Sequence, residues 1–352
     1  MSMTPRQRVL ALLSREKPDR IPTDYWATGE VTQRLIKDLR CADYKGLCER
    51  LHIDGLHHIG APRTVQHHPD DPQADIWGVR YRTISYGTGV YGEFANHPLE
   101  GVTTVEEVHA FKWPSPDEHD WEQFKKQVEQ INFHRAVRCG HYEPFLLYCA
   151  MRGMERAMMD LLIAPQIAEA ILDHLFDYHH AVNERMWDIA RGKVDLTYVA
   201  EDLGSQHGLL IGLEQIRRFI LPRQKKMADL ARSCGIGIFY HTDGAARAVI
   251  PDLIKVTGID ILNPIQWRCC GMEREGLVRD FGDKVIFHGA MDNQQTLAFG
   301  SPDDVRREVL DNIRIFAPPA RWICAPCHNI QAVSPTENIV ALYETIWENG
   351  KG

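Results

Sequence analysis

Long apolar runs are missing from this sequence of 352 residues. Its apolar segments are short, such as those at 236–240 and 285–287, whereas a membrane-spanning helix requires about 18 consecutive apolar residues. Residues 1–20 are basic but contain neither an unbroken apolar stretch nor a small-residue cleavage site, so they are not typical of a secretory signal. We therefore expect a cytoplasmic protein that does not enter a membrane.

An excess of positive charge is also missing. Lysine and arginine total 40 and aspartate and glutamate total 48, which gives a net charge of −8 with neutral histidine. Because nucleic acid binding requires a basic surface, this composition argues against a nucleic acid partner. The apolar fraction of 44% and the charged fraction of 25% are typical of a globular protein with a large core, and they exclude disordered and collagen-like chains.

A disulfide framework is not expected either. The nine cysteines are an odd number, scattered from Cys41 to Cys327. This pattern fits a reducing compartment, in which thiols fill the core, bind metals or act as nucleophiles. The 17 histidines are a high count for this length, and they favour metal or proton chemistry modestly.

Short apolar strands alternate with helices along the chain. We predict strands at 21–26, 144–150, 196–200, 236–241, 261–265, 285–289 and 322–325. Capping sequences at Thr4, Ser301 and Ser334 mark helix starts. No G-x-G-x-x-G sequence follows a strand, which argues against a dinucleotide-binding open sheet. The pattern predicts an α/β fold of the (β/α)8 TIM barrel type.

Residues 51–113 depart from this alternation. They are rich in His, Gly, Pro and Tyr, and the alternating segment 77–84 predicts a hairpin inserted after an early barrel strand. We expect this lid-like insertion to cap the barrel mouth. Because the sequence contains no linker, low-complexity tract or repeat, residues 1–352 are predicted to form one barrel domain with an N-terminal helical extension.

Polar residues follow most of the predicted strands. In TIM barrels the active site lies at the carboxyl ends of the strands, so these residues are the candidates for function. We assign as catalytic groups Glu201, Asp202 and His288, and as substrate-binding groups Tyr25, Gln206, Asn263, Asp292 and Asn329.

A metal site is predicted where two of these strands end. His241 and Asp243 are two residues apart, so both side chains point to one side of an extended chain. Cys327 from the last strand is a third donor, and this donor set with one open position suits catalytic zinc. The alternative is that His241 and Asp243 only form a hydrogen-bonded pair. Glu201 and Asp202 are read as an acid/base pair or a further ligand, or, for Asp202, as a helix N-terminal carboxylate.

The segment Cys324-x-x-Cys327-His328 also fits two other motifs. The haem-attachment motif belongs to exported proteins, and this chain has no export signal. A redox Cys-x-x-Cys opens a helix, whereas here it ends a strand and the next helix begins only after Ser334. We therefore favour a core role for Cys324 and a site role for Cys327.

The strand-end motifs resemble those of the uroporphyrinogen decarboxylase superfamily. They are KPDRIP at 17–22, EDLGSQ at 201–206, HTDG at 241–244, GIDILNPIQ at 258–266, GAMD at 289–292 and CHNI at 327–330. In their order and spacing they cover nearly the whole chain. The resemblance implies a (β/α)8 barrel, often a homodimer, that either decarboxylates porphyrinogens or transfers methyl groups with corrinoid proteins.

The decarboxylase members of the superfamily resemble one another in an arginine-rich segment after the first strand, which binds substrate carboxylates. Here the corresponding segment 23–30 reads TDYWATGE and has no arginine before Arg34. A tetrapyrrole with many carboxylates requires cations in its pocket, because buried carboxylates must be paired. Porphyrinogen decarboxylation is therefore disfavoured.

The methyltransferase members typically bind zinc through His-x-Cys and a cysteine on the last strand. This sequence is similar in His241 and Cys327 but has Asp243 in place of the middle cysteine. A carboxylate ligand leaves zinc less electron-rich than a thiolate does, which suits activation of a heteroatom-linked methyl group rather than of a thiol.

The resemblance therefore implies a zinc-dependent methyltransferase that demethylates a small methoxy- or methylamine-type substrate and passes the methyl group to a corrinoid protein. In this interpretation Glu201 assists proton transfer and the lid excludes water. The alternatives are a decarboxylase of a porphyrinogen-like or other small carboxylate, and a barrel that binds a ligand without turnover.

Overall fold

Parallel strands form a curved sheet with helices on its outer side, in a computed structural model that describes residues 2–85, 90–317 and 321–351. The strands in these ranges are β1 (Leu56–Ile59), β2 (Tyr81–Ser85), β3 (Val90–Phe94), β4 (Ala136–Tyr142), β5 (Leu196–Ala200), β6 (Gly237–His241), β7 (Ile261–Ile265), β8 (Ile286–Met291) and β9 (Trp322–Pro326). The α-helices in the same ranges are α1 (Pro5–Leu13), α2 (Gly29–Asp38), α3 (Tyr44–Arg50), α4 (Val105–Ala110), α5 (Trp121–Glu129), α6 (Pro144–Arg152), α7 (Met154–Ile163), α8 (Pro165–Ile189), α9 (Leu213–Gln215), α10 (Leu221–Ser233), α11 (Ile250–Asp252), α12 (Arg274–Phe281), α13 (Thr296–Phe299), α14 (Pro302–Phe316) and α15 (Thr336–Asn349). Two π-helical segments, Ile216–Ile220 and Leu253–Thr257, precede α10 and follow α11.

The main sheet has the strand order β1-β4-β5-β6-β7-β8-β9, and each neighbouring pair is parallel. The gap between β9 and β1 is bridged by backbone hydrogen bonds. The Asp24 amide donates to the Cys324 carbonyl at 2.9 Å, and the Gly55 amide donates to the Thr23 carbonyl at 3.0 Å. The segment around Thr23 thus lies where an eighth strand would lie, and the predicted TIM-barrel fold class is confirmed.

Inside the barrel, apolar side chains from successive strands meet in one layer. They are Ala136, Leu196, Phe239, Ile261, Ile286 and Ile323, joined by Val9 and Leu12 of α1. Because strand side chains alternate between the two faces, every second residue after these positions also faces the interior. This alternation leads from Leu196 to Asp202 and from Phe239 to His241 and Asp243.

The predicted hairpin is present: β2 overlaps the second half of the segment 77–84, and β3 follows it. β2 pairs antiparallel with β3, and Tyr81 lies opposite Phe94. β1 belongs to the barrel sheet, so the segment outside the sheet begins after Ile59 rather than at residue 51. Residues 86–89 of the predicted insertion lie outside the described residues.

One predicted strand is wrong. Residues 144–150 belong to α6, and the strand of this region is β4. The apolar run Phe145–Ala150 is buried on most sides of a helix, and a short apolar run does not by itself distinguish a buried helix from a buried strand. Pro144 at the first helical position favours the helix.

The capping sequences mark helix starts as predicted. Thr4 and Ser301 each accept a hydrogen bond from the backbone three residues later, in capping boxes with Gln7 and Asp304. The third site differs, because α15 begins after Pro335 without a side-chain capping bond. No helix in the described part of the chain combines the length and the apolar content needed to cross a bilayer.

Candidate active site

Three potential metal ligands meet at the carboxyl ends of β5 and β6. They are Asp202, His241 and Asp243, whose donor atoms all lie within 4.8 Å of one another. His241 Nε2 lies 3.4 Å from Asp202 Oδ1 and 3.8 Å from Asp243 Oδ1. The ring of His241 is buried, and both carboxylates are partly buried.

Two glycines allow the loops after β5 and β6 to touch backbone to backbone. A Cβ atom on Gly204 would lie 2.6 Å from the Asp243 carbonyl oxygen, and one on Gly244 would overlap the Gly204 carbonyl. Gly244 also has a φ of +79°, a conformation that other residues rarely adopt. This close approach brings Asp202 of one loop beside Asp243 of the other.

A chain of hydrogen bonds behind His241 fixes its orientation. His241 Nδ1 lies 2.6 Å from Asn263 Oδ1, and Asn263 Nδ2 lies 2.6 Å from His288 Nδ1. His288 Nε2 lies 3.0 Å from Asp24 Oδ2. Because the Asn263 oxygen accepts, His241 carries a proton on Nδ1 and presents Nε2 to the two carboxylates.

The position between His241 Nε2 and the carboxylates favours a cation. Burial alone would lower the pKa of His241, but the hydrogen bond to Asp202 and the charge of Asp243 raise it. Burial and the neighbouring Asp202 raise the pKa of Asp243. Asp243 Oδ1 is buried and has no hydrogen-bond partner among the described residues. A bound divalent cation would satisfy this oxygen and the lone pair of Nε2 together.

The donor set therefore fits a metal ion. One imidazole nitrogen and two carboxylate oxygens suit zinc and the divalent ions of similar chemistry. The hydrogen bond from Nδ1 to Asn263 is the kind of outer contact that metal-bound histidines make.

Aromatic rings form the wall beneath the ligand group. The Trp26 ring stacks against His241 with centroids 5.8 Å apart, and Trp26 Nε1 donates to Asp24 Oδ2 at 3.0 Å. The Tyr198 ring lies 5.7 Å from His241 and 6.0 Å from Phe239. These aromatic rings line the barrel side of the group.

A polar cleft of about 670 Å³ opens beside the ligand group. Asp243 and His328 both line it, and His328 Nε2 lies 3.7 Å from Asp243 Oδ2. The other polar side chains of the cleft are Ser205, Gln206, Gln266, Asn293, Gln294 and Gln331. The cleft is large enough for a small substrate.

Comparison with known proteins agrees with this architecture. The model of the uroporphyrinogen decarboxylase (URO-D) family matches residues 88–348. The chain belongs to the URO-D family. Among solved structures, a methyltransferase from Methanosarcina mazei is similar over 99% of both chains, with a TM-score of 0.67 and 16% identity. A putative vitamin-B12 independent methionine synthase from Listeria monocytogenes covers 94% of this chain and 97% of its own, with a TM-score of 0.41 and 9% identity. No curated protein matches the sequence significantly.

Of the three metal ligands expected in this URO-D family member, the structure brings His241 and Asp243 together but adds Asp202 in place of Cys327. The Cys327 thiol donates to the Ile265 carbonyl at 3.0 Å and does not belong to the ligand group. Burial raises the pKa of the Cys327 thiol well above its usual range, so the neutral thiol is favoured over the thiolate that metals bind.

Glu201 lies on the opposite face of the sheet from Asp202. It is fully buried, and its Oε1 accepts the Phe145 amide at 2.7 Å, at the first turn of α6. Burial raises the pKa of Glu201 well above its ordinary range. The structure therefore places this carboxyl at the start of α6 and not in the barrel interior, where a catalytic group was expected.

The residues predicted to bind substrate lie in different parts of the structure. Gln206 lines the cleft, and Asn263 holds His241. Asp292 is held by Arg268 at 2.5 Å and by backbone amides of the turn that follows it. Asn329 is exposed beside the cleft residue His328.

Tyr25 lies away from the site, whereas its neighbours Asp24 and Trp26 belong to it. The Tyr25 hydroxyl is 3.0 Å from Thr32 Oγ1, and its ring packs near Tyr343 on the outer side of the barrel. Sequence reasoning missed Asp24 and Trp26. The signal was available in the two-residue period of an extended segment, because Asp24 and Trp26 share one face and Tyr25 has the other.

Proposed function

We propose that this protein is a metal-dependent methyltransferase that demethylates a small methoxy- or methylamine-type substrate, with a corrinoid protein as the methyl acceptor. The observation that carries the proposal is the partly buried group of Asp202, His241 and Asp243 beside a polar cleft. A homodimer is part of the same proposal. The fold likeness to a methyltransferase supports the architecture on which it rests.

In this proposal Asp202, His241 and Asp243 hold a divalent metal, zinc in the first instance. When bound, such an ion supplies Lewis acidity, which polarises the heteroatom that carries the methyl group. Asn263 and His288 keep the His241 ring in one orientation, and Asp24 anchors His288. Burial alone would raise the pKa of Asp24, but the hydrogen bond and charge of His288 lower it, so Asp24 remains a carboxylate acceptor.

The bond between the methyl carbon and the heteroatom breaks as the methyl carbon bonds to the corrinoid acceptor, whose electron pair forms the new bond. The heteroatom keeps the electron pair of the broken bond and then takes up a proton. His328 is the residue we assign to this proton transfer, because its Nε2 lies at the cleft beside Asp243 and reaches solvent. Trp26 covers the His241 ring and limits water at the reacting atoms.

Porphyrinogen decarboxylation is less well supported than methyl transfer. The arginines that flank residues 23–30 already have partners within the protein. Arg20 binds Asp54 at 2.7 Å, and Arg34 donates to the Ala332 and Ser334 carbonyls. Neither guanidinium is available for the carboxylates of a tetrapyrrole, which would need several cations.

The test is metal analysis of protein purified without chelators. We expect stoichiometric divalent metal in the parent, its loss in His241→Ala and Asp202→Asn, and its retention in Cys327→Ser, which is the matched control from the same rim. Metal-loaded parent should then transfer methyl groups from methoxy or methylamine donors to a corrinoid acceptor. Metal that persists in His241→Ala would show that the ligand group is wrong, and loaded protein that yields no methylated acceptor with either donor class would refute the function.

A further inference from the structure

Arg138 is a cation on the inner face of the barrel. It lies on β4 two residues after Ala136, which belongs to the apolar layer of the interior. It faces His58 across the β1–β4 pair. Its guanidinium carbon lies 4.9 Å from the Tyr198 ring centroid and 5.9 Å from that of Phe239. The side chain is half-buried.

The guanidinium of Arg138 has no hydrogen bond or ion pair within the described ranges. The buried arginines Arg8 and Arg152 are paired, with Asp19 and Asp160 respectively, each at 2.7 Å. A cation removed from water without a counter-charge is costly, so an unpaired one inside a barrel calls for an explanation.

Asp24 is the acidic group that acts on Arg138 through its charge, but its oxygens are already occupied. Asp24 Oδ1 accepts the Tyr25 amide at 2.9 Å, and Oδ2 accepts Trp26 Nε1 and the His288 ring. The donors of Arg138 therefore remain free for a group that does not belong to the protein.

Arg138 and the ligand group both lie near the Tyr198 ring. Tyr198 has the Arg138 guanidinium 4.9 Å from its centroid and the His241 ring 5.7 Å from it. Because both groups lie this close to one ring, a single small molecule can contact both of them. Such a molecule would place an anionic group at Arg138 and its methyl-bearing heteroatom at the Asp202–His241–Asp243 group.

We propose that Arg138 binds a carboxylate of the substrate, so that the substrate class is a small acid with one carboxylate and a methoxy or methylamine group. This proposal rests on the proposed function, which supplies the methyl-bearing heteroatom at the other end of the substrate. A guanidinium matches a carboxylate through two parallel N–H donors. One such cation suits one carboxylate, in contrast to the several that a porphyrinogen would require.

The experiment measures binding by calorimetry with two matched probe pairs. The pairs are methoxyacetate with methoxyacetamide, and N,N-dimethylglycine with its amide, so that each pair differs only in the charged group. In the parent protein we expect the acid of at least one pair to bind about 10- to 100-fold more tightly than its amide. Arg138→Gln should abolish the preference for the acid over the amide. Arg138→Lys should retain part of it, because lysine keeps the positive charge but lacks the two parallel N–H donors of a guanidinium.

Arg63→Gln is the matched control. Arg63 is another arginine without an ion pair in the described residues, stacked 5.2 Å from the Tyr178 ring outside the barrel interior, and its loss should leave the acid preference unchanged. Equal binding of acid and amide by the parent, no binding of any probe, or an undiminished preference in Arg138→Gln would each overturn the proposal. An Arg138-dependent preference in protein that transfers no methyl group would refute the proposed function while upholding the carboxylate site.

Discussion

Glu201 and Asp202 are adjacent in the chain, yet their carboxyl groups have different environments. Asp202 is partly exposed beside His241, whose hydrogen bond lowers the pKa of Asp202 although burial alone would raise it. Glu201 lies in the layer between the sheet and α6, and its Oε2 has no partner among the described residues. Burial raises the pKa of Glu201, so its neutral form is favoured.

We predict that Glu201→Gln changes the free energy of unfolding by less than about 1 kcal/mol, because a glutamine oxygen can still accept the Phe145 amide. Glu201→Ala should cost about 2–3 kcal/mol, since that buried amide loses its acceptor. Denaturant unfolding and metal analysis measure both effects. Loss of metal or of methyl transfer in Glu201→Gln, without loss of stability, would restore the catalytic role that the sequence predicted for Glu201.

For individual residues, the sequence predicts well which polar side chains lie at the barrel rim. It predicts less well which of those side chains are in contact. His241, Asp243 and Asn263 were singled out because each lies in or just after a strand that is clear from its apolar run. Cys327 was favoured as a ligand by its position and its chemistry, but its thiol turns to the Ile265 carbonyl. Side-chain rotation at a strand end depends on neighbouring backbone carbonyls, and no sequence pattern records it.

At the scale of elements, α8 carries much of the packing of the segment that follows β1. The Trp77 ring stacks on His179 of α8 with centroids 5.6 Å apart and meets Tyr178 edge-on at 5.0 Å. His179 Nδ1 donates to the Leu175 carbonyl at 2.7 Å within the helix. Burial lowers the pKa of His179 from 6.5 to about 4, so this contact favours neutral histidine.

We predict that acid weakens this contact. In the unfolded chain His179 takes up a proton as the pH falls below 6.5, while in the folded chain it stays neutral until about pH 4. Stability is therefore present above pH 6.5 and is lost as the pH falls toward 4, by about 2–3 kcal/mol. His179→Phe keeps an aromatic ring against Trp77 and removes the titration. Its free energy of unfolding, measured by denaturant between pH 7 and pH 4.5, should fall less steeply than that of the parent, and parallel curves would contradict the assignment.

The elements themselves were predictable where their periodicity is strong. The break between α7 and α8 coincides with Pro165, and β5, β6 and β7 coincide with continuous apolar runs. β4 was missed because Arg138 and His141 interrupt its apolar pattern, and α6 was mistaken for a strand because it is apolar and buried. The first error arises because polar residues interrupt a strand pattern, and the second because a short apolar run does not distinguish a buried helix from a buried strand.

At the scale of the whole molecule, the barrel closes through a segment that is not a regular strand. The sequence predicts a strand at 21–26, and the structure has isolated bridges there, from Thr23 to Cys324 and from Ala27 to Ile330. Side chains supplement this short pairing. Asp54, next to β1, accepts Arg8 of α1 at 2.8 Å, Arg20 at 2.7 Å and the Thr23 amide at 3.0 Å. One buried carboxylate thus joins α1, the closing segment and β1.

We predict that Asp54→Ala destabilises the whole barrel, by about 3–5 kcal/mol, because it leaves two buried guanidinium groups without their shared counter-charge. The matched control is Asp188→Ala, which removes an exposed pair with Arg191 and should cost less than about 1 kcal/mol. Unfolding in denaturant, followed in parallel by tryptophan fluorescence and by circular dichroism, measures both. The two signals of Asp54→Ala should shift together, since the carboxylate links parts of one closed sheet. A circular dichroism change that precedes the fluorescence change would show instead that α1 detaches alone and that closure does not depend on Asp54.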